Sequence, residues 1–471
     1  MRSLITLTTS VLLALGIAAG AGTVANVREA KSAGPALPTP VVVDTDMSTD
    51  DVLALLYLLQ RPDLDVRAVT VSGTGLAHCP AGARNALELL ALTGHGDVPV
   101  ACGRPTPLSG FNQFPAPWRA AADAFFGLEL HPALRDVDHG SAVDLLRAVV
   151  QSSARKVTLL SLAPLTDTAE LLDDPLVKTK LEALFVMGGA VGVPGNGGPG
   201  HENVEFNLWV DPAAAQKVLS SGLPITLVPL DATNDVPVTI YLATALQRYH
   251  YASRAGTAAW DLFASTGMFS GGQYFWDPLA AVALADPSAL VFTQERLRVV
   301  MAPLGTAAAR SNGRTIRTSD GAEVRVAVRA NRQAFEHAFL DTLLGGTAFI
   351  IPPARAGATI THDGRHHSYV GPRRGPSGEV VFDTVNRGGR TSSFVVGRLI
   401  KRKTVADLRP YLRDYHGTPS WFVPEMRGET PPRSRMTWVA YLAPGRTVLI
   451  CSTAGSKAAA ALGPITVVRG R

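Results

Sequence analysis

Four carboxylates, Asp44, Asp46, Asp50 and Asp51, fall within eight residues of one another. They lie between a β-branched run, Val41-Val42-Val43, and a second apolar run from Val52 to Leu56. Like charges at this spacing repel unless a cation sits among their oxygens, which points to a divalent metal held where a strand ends and a helix begins. Ser48 and Asp51 are spaced as a capping box, so the helix starts at the acidic residues and carries Asp50 and Asp51 in its first turn. An EF-hand fits poorly: from Asp44, its sixth position needs Gly and its twelfth Glu, whereas the chain has Thr49 and Leu55. Phosphatases of the haloacid-dehalogenase type also place Asp-x-Asp after a strand, but that chemistry does not ask for the Asp50-Asp51 pair.

The elements that must hold these groups follow from the same pattern. Val41 to Val43 reads as a buried parallel strand, and open α/β sheets bind ligands at the carboxyl ends of such strands. With 471 residues, 46% of them hydrophobic, the chain is long enough for one large α/β domain and a smaller companion. No segment after the N-terminus is apolar enough to span a bilayer.

Asp44-x-Asp46-x-x-x-Asp50-Asp51 resembles the signature of the inosine-uridine-type nucleoside hydrolases, calcium enzymes that cut the N-glycosidic bond of ribonucleosides. Later segments resemble the same family in its own order: Leu160 to Thr166, Val186-Met187-Gly188-Gly189, Gly195-Asn196, Glu205-Phe206-Asn207, Asp211-Pro212, and Phe275-Trp276-Asp277-Pro278-Leu279-Ala280. The resemblance covers residues 39 to 346. It implies an open, mostly parallel sheet with helices on both faces, and Ca²⁺ as cofactor.

By the same resemblance, Asp46 is a metal ligand and the base that activates the attacking water. Asp51, the Thr166 carbonyl and Asp277 complete the protein ligands. Asp50, Asn207 and Glu205 map onto ribose hydroxyl contacts and Asn196 onto the 5′-hydroxyl. Many members carry His immediately before the last metal aspartate, where this chain has Trp276. The purine-specific subgroup carries Trp there and a second Trp in Phe-Pro-x-x-Trp-Arg, matched here by Phe114 to Arg119 with Trp118. Two indoles around a purine raise its basicity, so that solvent can protonate it as it leaves. Gly73-Thr74-Gly75 replaces a segment where many members carry a ribose-contacting Asn.

The termini add context. Met1-Arg2 precedes an uncharged run from Ser3 to Val27 with small-residue cleavage sites at Ala19-Gly20-Ala21 and Thr23-Val24-Ala25. This reads as a signal peptide over residues 1–25 and a linker over 26–38, hence secretion, with a retained membrane anchor as the competing reading. Cys79 follows the strand Val66–Val71, and Cys102 ends the next one. With a crossover helix from Pro80 to Leu92, both sulfurs reach the same sheet edge, and a disulfide is expected in an oxidising compartment. Cys451 is left as a buried strand thiol.

From Ala348 to Arg471 there are 19 Lys+Arg against 7 Asp+Glu, whereas residues 1–347 carry 25 against 32. That asymmetry separates a basic domain at 348–471 from the hydrolase-like domain at 39–347. Short apolar runs between Gly/Pro turns make it a small all-β sandwich, similar to cupredoxins over Arg398 to Ser452. It lacks the His and Met positions of a copper centre. His366-His367 reads as a solvated loop pair. The expected partners are a neutral ribonucleoside, an anionic surface polymer met by the basic domain, and a second copy of the chain. A calcium-dependent riboside-binding protein without catalysis and a surface-attachment protein remain the alternative function classes.

Overall fold

The run Thr39–Thr45 forms β1, the strand on which the fold turns, and its neighbouring side chains enter different cores. Val41 and Val43 face one apolar cluster and Val42 the other, all fully buried. Both faces of the sheet are therefore covered by helices, as a continuous β-branched run requires. The computed structural model describes residues 37–468 apart from 198–199, 202, 269–271, 352–357 and 416–417. The signal-peptide expectation and all but the last two residues of the linker lie outside the described residues.

The main sheet contains β1, β2 (Leu64–Val71), β3 (Val100–Cys102), β4 (Asp138–Ser141), β5 (Val157–Ser161), β6 (Leu181–Met187), β7 (Ile225–Val228), β8 (Leu290–Val299), β9 (Thr315–Arg317) and β10 (Ala322–Ala330). Their spatial order is β4-β3-β2-β1-β5-β6-β7-β10-β8-β9. The strands from β4 through β10 in that order pair in parallel, and the β10–β8 and β8–β9 edge is antiparallel. Strand order reverses between β1 and β5, which opens a crevice at their carboxyl ends. There the two loops meet, since the Leu162 N–H donates to the Asp44 carbonyl at 2.8 Å.

The helix Cys79–Thr93 crosses from β2 to β3, and Cys79 and Cys102 form a disulfide with Cα atoms 5.5 Å apart. Among the described residues Cys451 is the free cysteine, and it is buried.

The C-terminal part is all-β apart from the helix Val405–Arg413. Its strands are β11 (Ala358–His362), β12 (His367–Val370), β13 (Arg374–Pro376), β14 (Gly378–Asn386), β15 (Ser392–Leu399), β16 (Phe422–Thr430), β17 (Ser434–Leu442), β18 (Gly445–Thr453) and β19 (Ala459–Val468). They make a sheet in the order β12-β11-β14-β17 and another in the order β13-β19-β18-β15-β16. Phe382, Phe394, Leu449 and Ile465 belong to the core between them. The His366-His367 reading needs correction at one residue. His366 is exposed beside Asp363, but His367 begins β12 half-buried, its ring stacked on His362 at 4.4 Å. Burial holds its pKa down at about 4. The described residues from Pro38 onward form one compact unit.

Candidate functional site

The turn between β1 and the helix Thr49–Leu59 is tied from within. The Thr45 hydroxyl and the Asp46 N–H, the latter at 3.0 Å, both donate to Asp51 Oδ1. The Ser48 N–H donates to Asp51 Oδ2 at 3.1 Å and to Asp46 Oδ1 at 3.3 Å, and Ser48 completes the capping box. Met47 takes a φ of 57° in this turn. A left-handed conformation costs a side-chain-bearing residue roughly 1–3 kcal/mol, and full burial of Met47 over-determines it. Gly75 closes the neighbouring loop over Asp46, where an added Cβ would lie 2.1 Å from the Asp46 Cβ.

A second helix N-terminus meets the first. Trp276–Ala285 begins beside it, and the Asp277 N–H donates to Asp50 Oδ2 at 3.4 Å. One carboxylate oxygen from each of Asp50, Asp51 and Asp277 lies within 4.8 Å of the others. Oxygens bound to one calcium ion at about 2.3–2.6 Å each can be at most about 5 Å apart, so this grouping fits a single ion. Asp277 Oδ1 is buried with no hydrogen-bond partner. Burial, followed by the charges of Asp50 and Asp51, holds the Asp277 carboxyl well above the usual carboxylate range. Burial and Asp51 push Asp50 up to about 6, and burial and Asp51 raise Asp46 as well. An all-oxygen set of crowded, desolvated carboxylates is the donor set of a hard divalent cation.

These residues line a cavity of about 800 Å³, a size within the usual small-molecule range. Its lining divides by chemistry. Asp46, Asp50, Asp51, Asp277, Glu205, Asn196 and Asn207 are polar, whereas Phe114, Trp118, Phe126, Met268, Tyr274 and Trp276 are apolar or aromatic. Trp118 packs near Phe206 with centroids 5.6 Å apart and is half-exposed; Trp276 packs near Tyr274 at 5.7 Å. Glu205 caps the helix Phe206–Val210, its carboxylate accepting from the N–H groups of Gly189, Asn207 and Leu208. Asn196 Oδ1 accepts from the Phe206 N–H at 3.0 Å.

Three expectations shift in detail. Thr166 does not line the cavity: it begins the helix Thr166–Leu171, and its hydroxyl donates to Asp211 at 2.8 Å. On the same loop Leu162 does line the cavity, and its carbonyl accepts from Asn207 Nδ2 at 2.9 Å. Asp50, expected at a ribose hydroxyl, joins the three-carboxylate group, while Asp46 lines the cavity outside that group. Thr74 faces Ser72 and Thr166 inside the protein, and Leu76 is the cavity residue of its loop. Pro431, Ser434, Met436 and Trp438 also line the cavity, and no local motif marks them in the sequence.

The family model for inosine-uridine preferring nucleoside hydrolases matches residues 41–337. The chain belongs to that family. It is 35% identical over 204 residues to the pyrimidine-specific ribonucleoside hydrolase RihA of Salmonella paratyphi C, which covers 42% of this chain and 62% of that protein. RihA of Escherichia fergusonii is 33% identical over 213 residues, or 43% and 63%. The chain thus spans less than two thirds of these curated relatives. Among solved structures, a plant nucleoside hydrolase, PpNRh1, aligns with a TM-score of 0.57 and 26% identity over 65% of this chain and 99% of its own. A purine-preferring ribonucleoside hydrolase from Gardnerella vaginalis aligns with a TM-score of 0.57 and 25% identity over 66% and 100%. The family match ends before β11, so the sandwich lies beyond it.

Proposed function

We propose that this chain hydrolyses the N-glycosidic bond of ribonucleosides, purine ribosides in particular, with calcium as its metal. The observation that carries the reading is the Asp50, Asp51 and Asp277 group in a cavity that is also lined by the aromatic side chains of Phe114, Trp118, Phe126, Tyr274 and Trp276. Asp46, Asp50, Asp51 and Asp277 supply side-chain oxygens for the ion, and the Leu162 carbonyl supplies a main-chain oxygen in place of Thr166. When bound, calcium orients the ribose hydroxyls and makes a neighbouring water more acidic.

The chain's own residues account for the rest. Burial, followed by the charge of Asp51, holds the Asp46 carboxyl well above the usual carboxylate range, which makes it a stronger base for taking a proton from water. Asn207 and Asn196 hold ribose hydroxyls. Trp118 and Trp276 flank the departing base and exclude water from its faces. No histidine, lysine or arginine lines the cavity among the described residues, so in this reading the proton for the leaving base comes from solvent. The test is release of free base and ribose from inosine with calcium present and after exhaustive chelation. Turnover lost on chelation and restored by calcium supports the reading; no free base from any nucleoside leaves a riboside-binding protein instead.

A further inference from the structure

The cavity has a wall that the family segment does not supply. Pro431, Ser434, Met436 and Trp438, all from the sandwich, line it together with Asp46 and Asp277. Ser434, Met436 and Trp438 are spaced two apart on β17 and therefore share one face of the strand. Farther along that face, Ala440 and Leu442 are buried in the sandwich core beside Phe382 and Phe394. The core-facing side of β17 thus leaves the sandwich at Trp438 and continues as cavity wall at Met436 and Ser434.

Polar atoms at this end are already committed within the sandwich. Trp438 Nε1 donates to Thr384 Oγ1 at 3.0 Å, and Ser434 Oγ donates to the Pro431 carbonyl at 2.7 Å. What remains to face a ligand is indole, thioether and pyrrolidine surface. Although residues 348–471 hold 19 Lys+Arg, none of those described lines the cavity.

We propose that Met436 and Trp438 of the sandwich are specificity-determining residues of the nucleoside site, touching the nucleobase and not the ribose. The inference rests on the hydrolase reading above. Ribose hydroxyls require polar partners, which Asn196 and Asn207 supply; an apolar wall gains only by covering the flat faces and edges of a base. A domain appended to the family fold thereby helps decide which nucleosides are accepted.

The experiment compares the full-length wild type with Met436→Ala and Trp438→Phe, each checked for folding by its circular-dichroism melt. Kinetics are measured on inosine, guanosine, adenosine, uridine and cytidine, with ribose as a competitive inhibitor. Met436→Ala should lower kcat/KM for the best nucleoside about tenfold, the equivalent of losing one well-buried apolar contact, and change the ranking of the five. Trp438→Phe should act in the same direction more weakly. The ribose inhibition constant should stay at the wild-type value in both. Unchanged kcat/KM across the panel, or an equal loss on all five with weakened ribose inhibition, overturns the inference and leaves the hydrolase reading standing. If the wild type turns over no nucleoside, the hydrolase reading fails. Calorimetric binding of the same five compounds then decides the wall, and unaltered affinities in both variants overturn it.

Discussion

The Asp277 N–H donates to the Asp50 carboxylate across 227 residues of sequence, and this contact joins the starts of two helices. Each helix N-terminus presents unsatisfied N–H groups and a partial positive charge, which offset part of the repulsion among the carboxylates gathered there. The remainder stays as cost: burial and like charge raise the pKa of Asp46, Asp50 and Asp277 together. Without an ion, Asp277→Asn should therefore melt higher than the wild type at pH 7.5. With calcium at a hundredfold excess over its dissociation constant, the wild type should gain about 2.7 kcal/mol and the variant little. Calorimetric melts with chelator and with calcium check the crossing. A variant that gains as much as the wild type would remove Asp277 from the ligand set.

Trp276 and Trp118 should differ in weight. Trp276 is partly buried beside Tyr274, whereas Trp118 is 51% exposed, so more of the indole of Trp276 is held in place before substrate arrives. Trp276→Ala should cost roughly 1–3 kcal/mol of transition-state stabilisation on inosine, and Trp118→Ala less. Purine ribosides should exceed pyrimidine ribosides in kcat/KM for the wild type. A preference for uridine would sink the stacking account.

Local pattern made part of this site readable. A β-branched run, a capping box and four carboxylates fix the strand, the helix start and the acidic turn within a dozen residues, and the structure keeps all three. Thr166 was not readable in the same way, because residues four apart on a tight loop after β5 differ in which one turns its carbonyl to the crevice. That depends on the loop path, which brings Leu162 to the cavity and turns the Thr166 hydroxyl toward Asp211. Met436 and Trp438 were less readable still. Their alternation along β17 announces a strand, but their place in the wall of the same cavity as Asp46 depends on how the sandwich packs on the main sheet, and no local periodicity encodes that.

The disulfide clamps the loop between β2 and β3. Cys79 begins the helix that follows β2 and Cys102 ends β3, while Leu76 of the same segment lines the cavity. Closing a loop with a sequence separation of 23 stabilises a fold by about 3 kcal/mol, chiefly by restricting the unfolded chain. Cys102→Ser should lose stability of that order in urea denaturation. Reduction of the wild type should match it, because Cys451 is buried and separate from the pair. Equal stability of oxidised and reduced protein would show that the loop is held by packing alone.

Glu336 provides a pH signature away from the carboxylate turn. It lies on the helix Arg332–Leu343 with 4% of its surface exposed, and Oε1 accepts from the Thr239 hydroxyl at 3.3 Å. Burial outweighs Arg332, 4.0 Å away, and lifts the Glu336 pKa from 4.5 to about 7. Because the folded-state value is raised, the fold holds a proton that the unfolded chain has released between those two limits. The associated stability is fully present below pH 4.5 and is lost as pH rises through 7, at a slope of up to about 1.4 kcal/mol per pH unit. Glu336→Gln keeps the shape and the acceptor but has no proton to lose. Its melting temperature should approach or fall below the wild-type value at pH 4.5 and exceed it at pH 8, with calcium held in excess so that the carboxylate turn contributes equally to both proteins. A difference between the two melting curves that stays constant from pH 4.5 to 8 would mean that Glu336 titrates as an ordinary surface carboxylate.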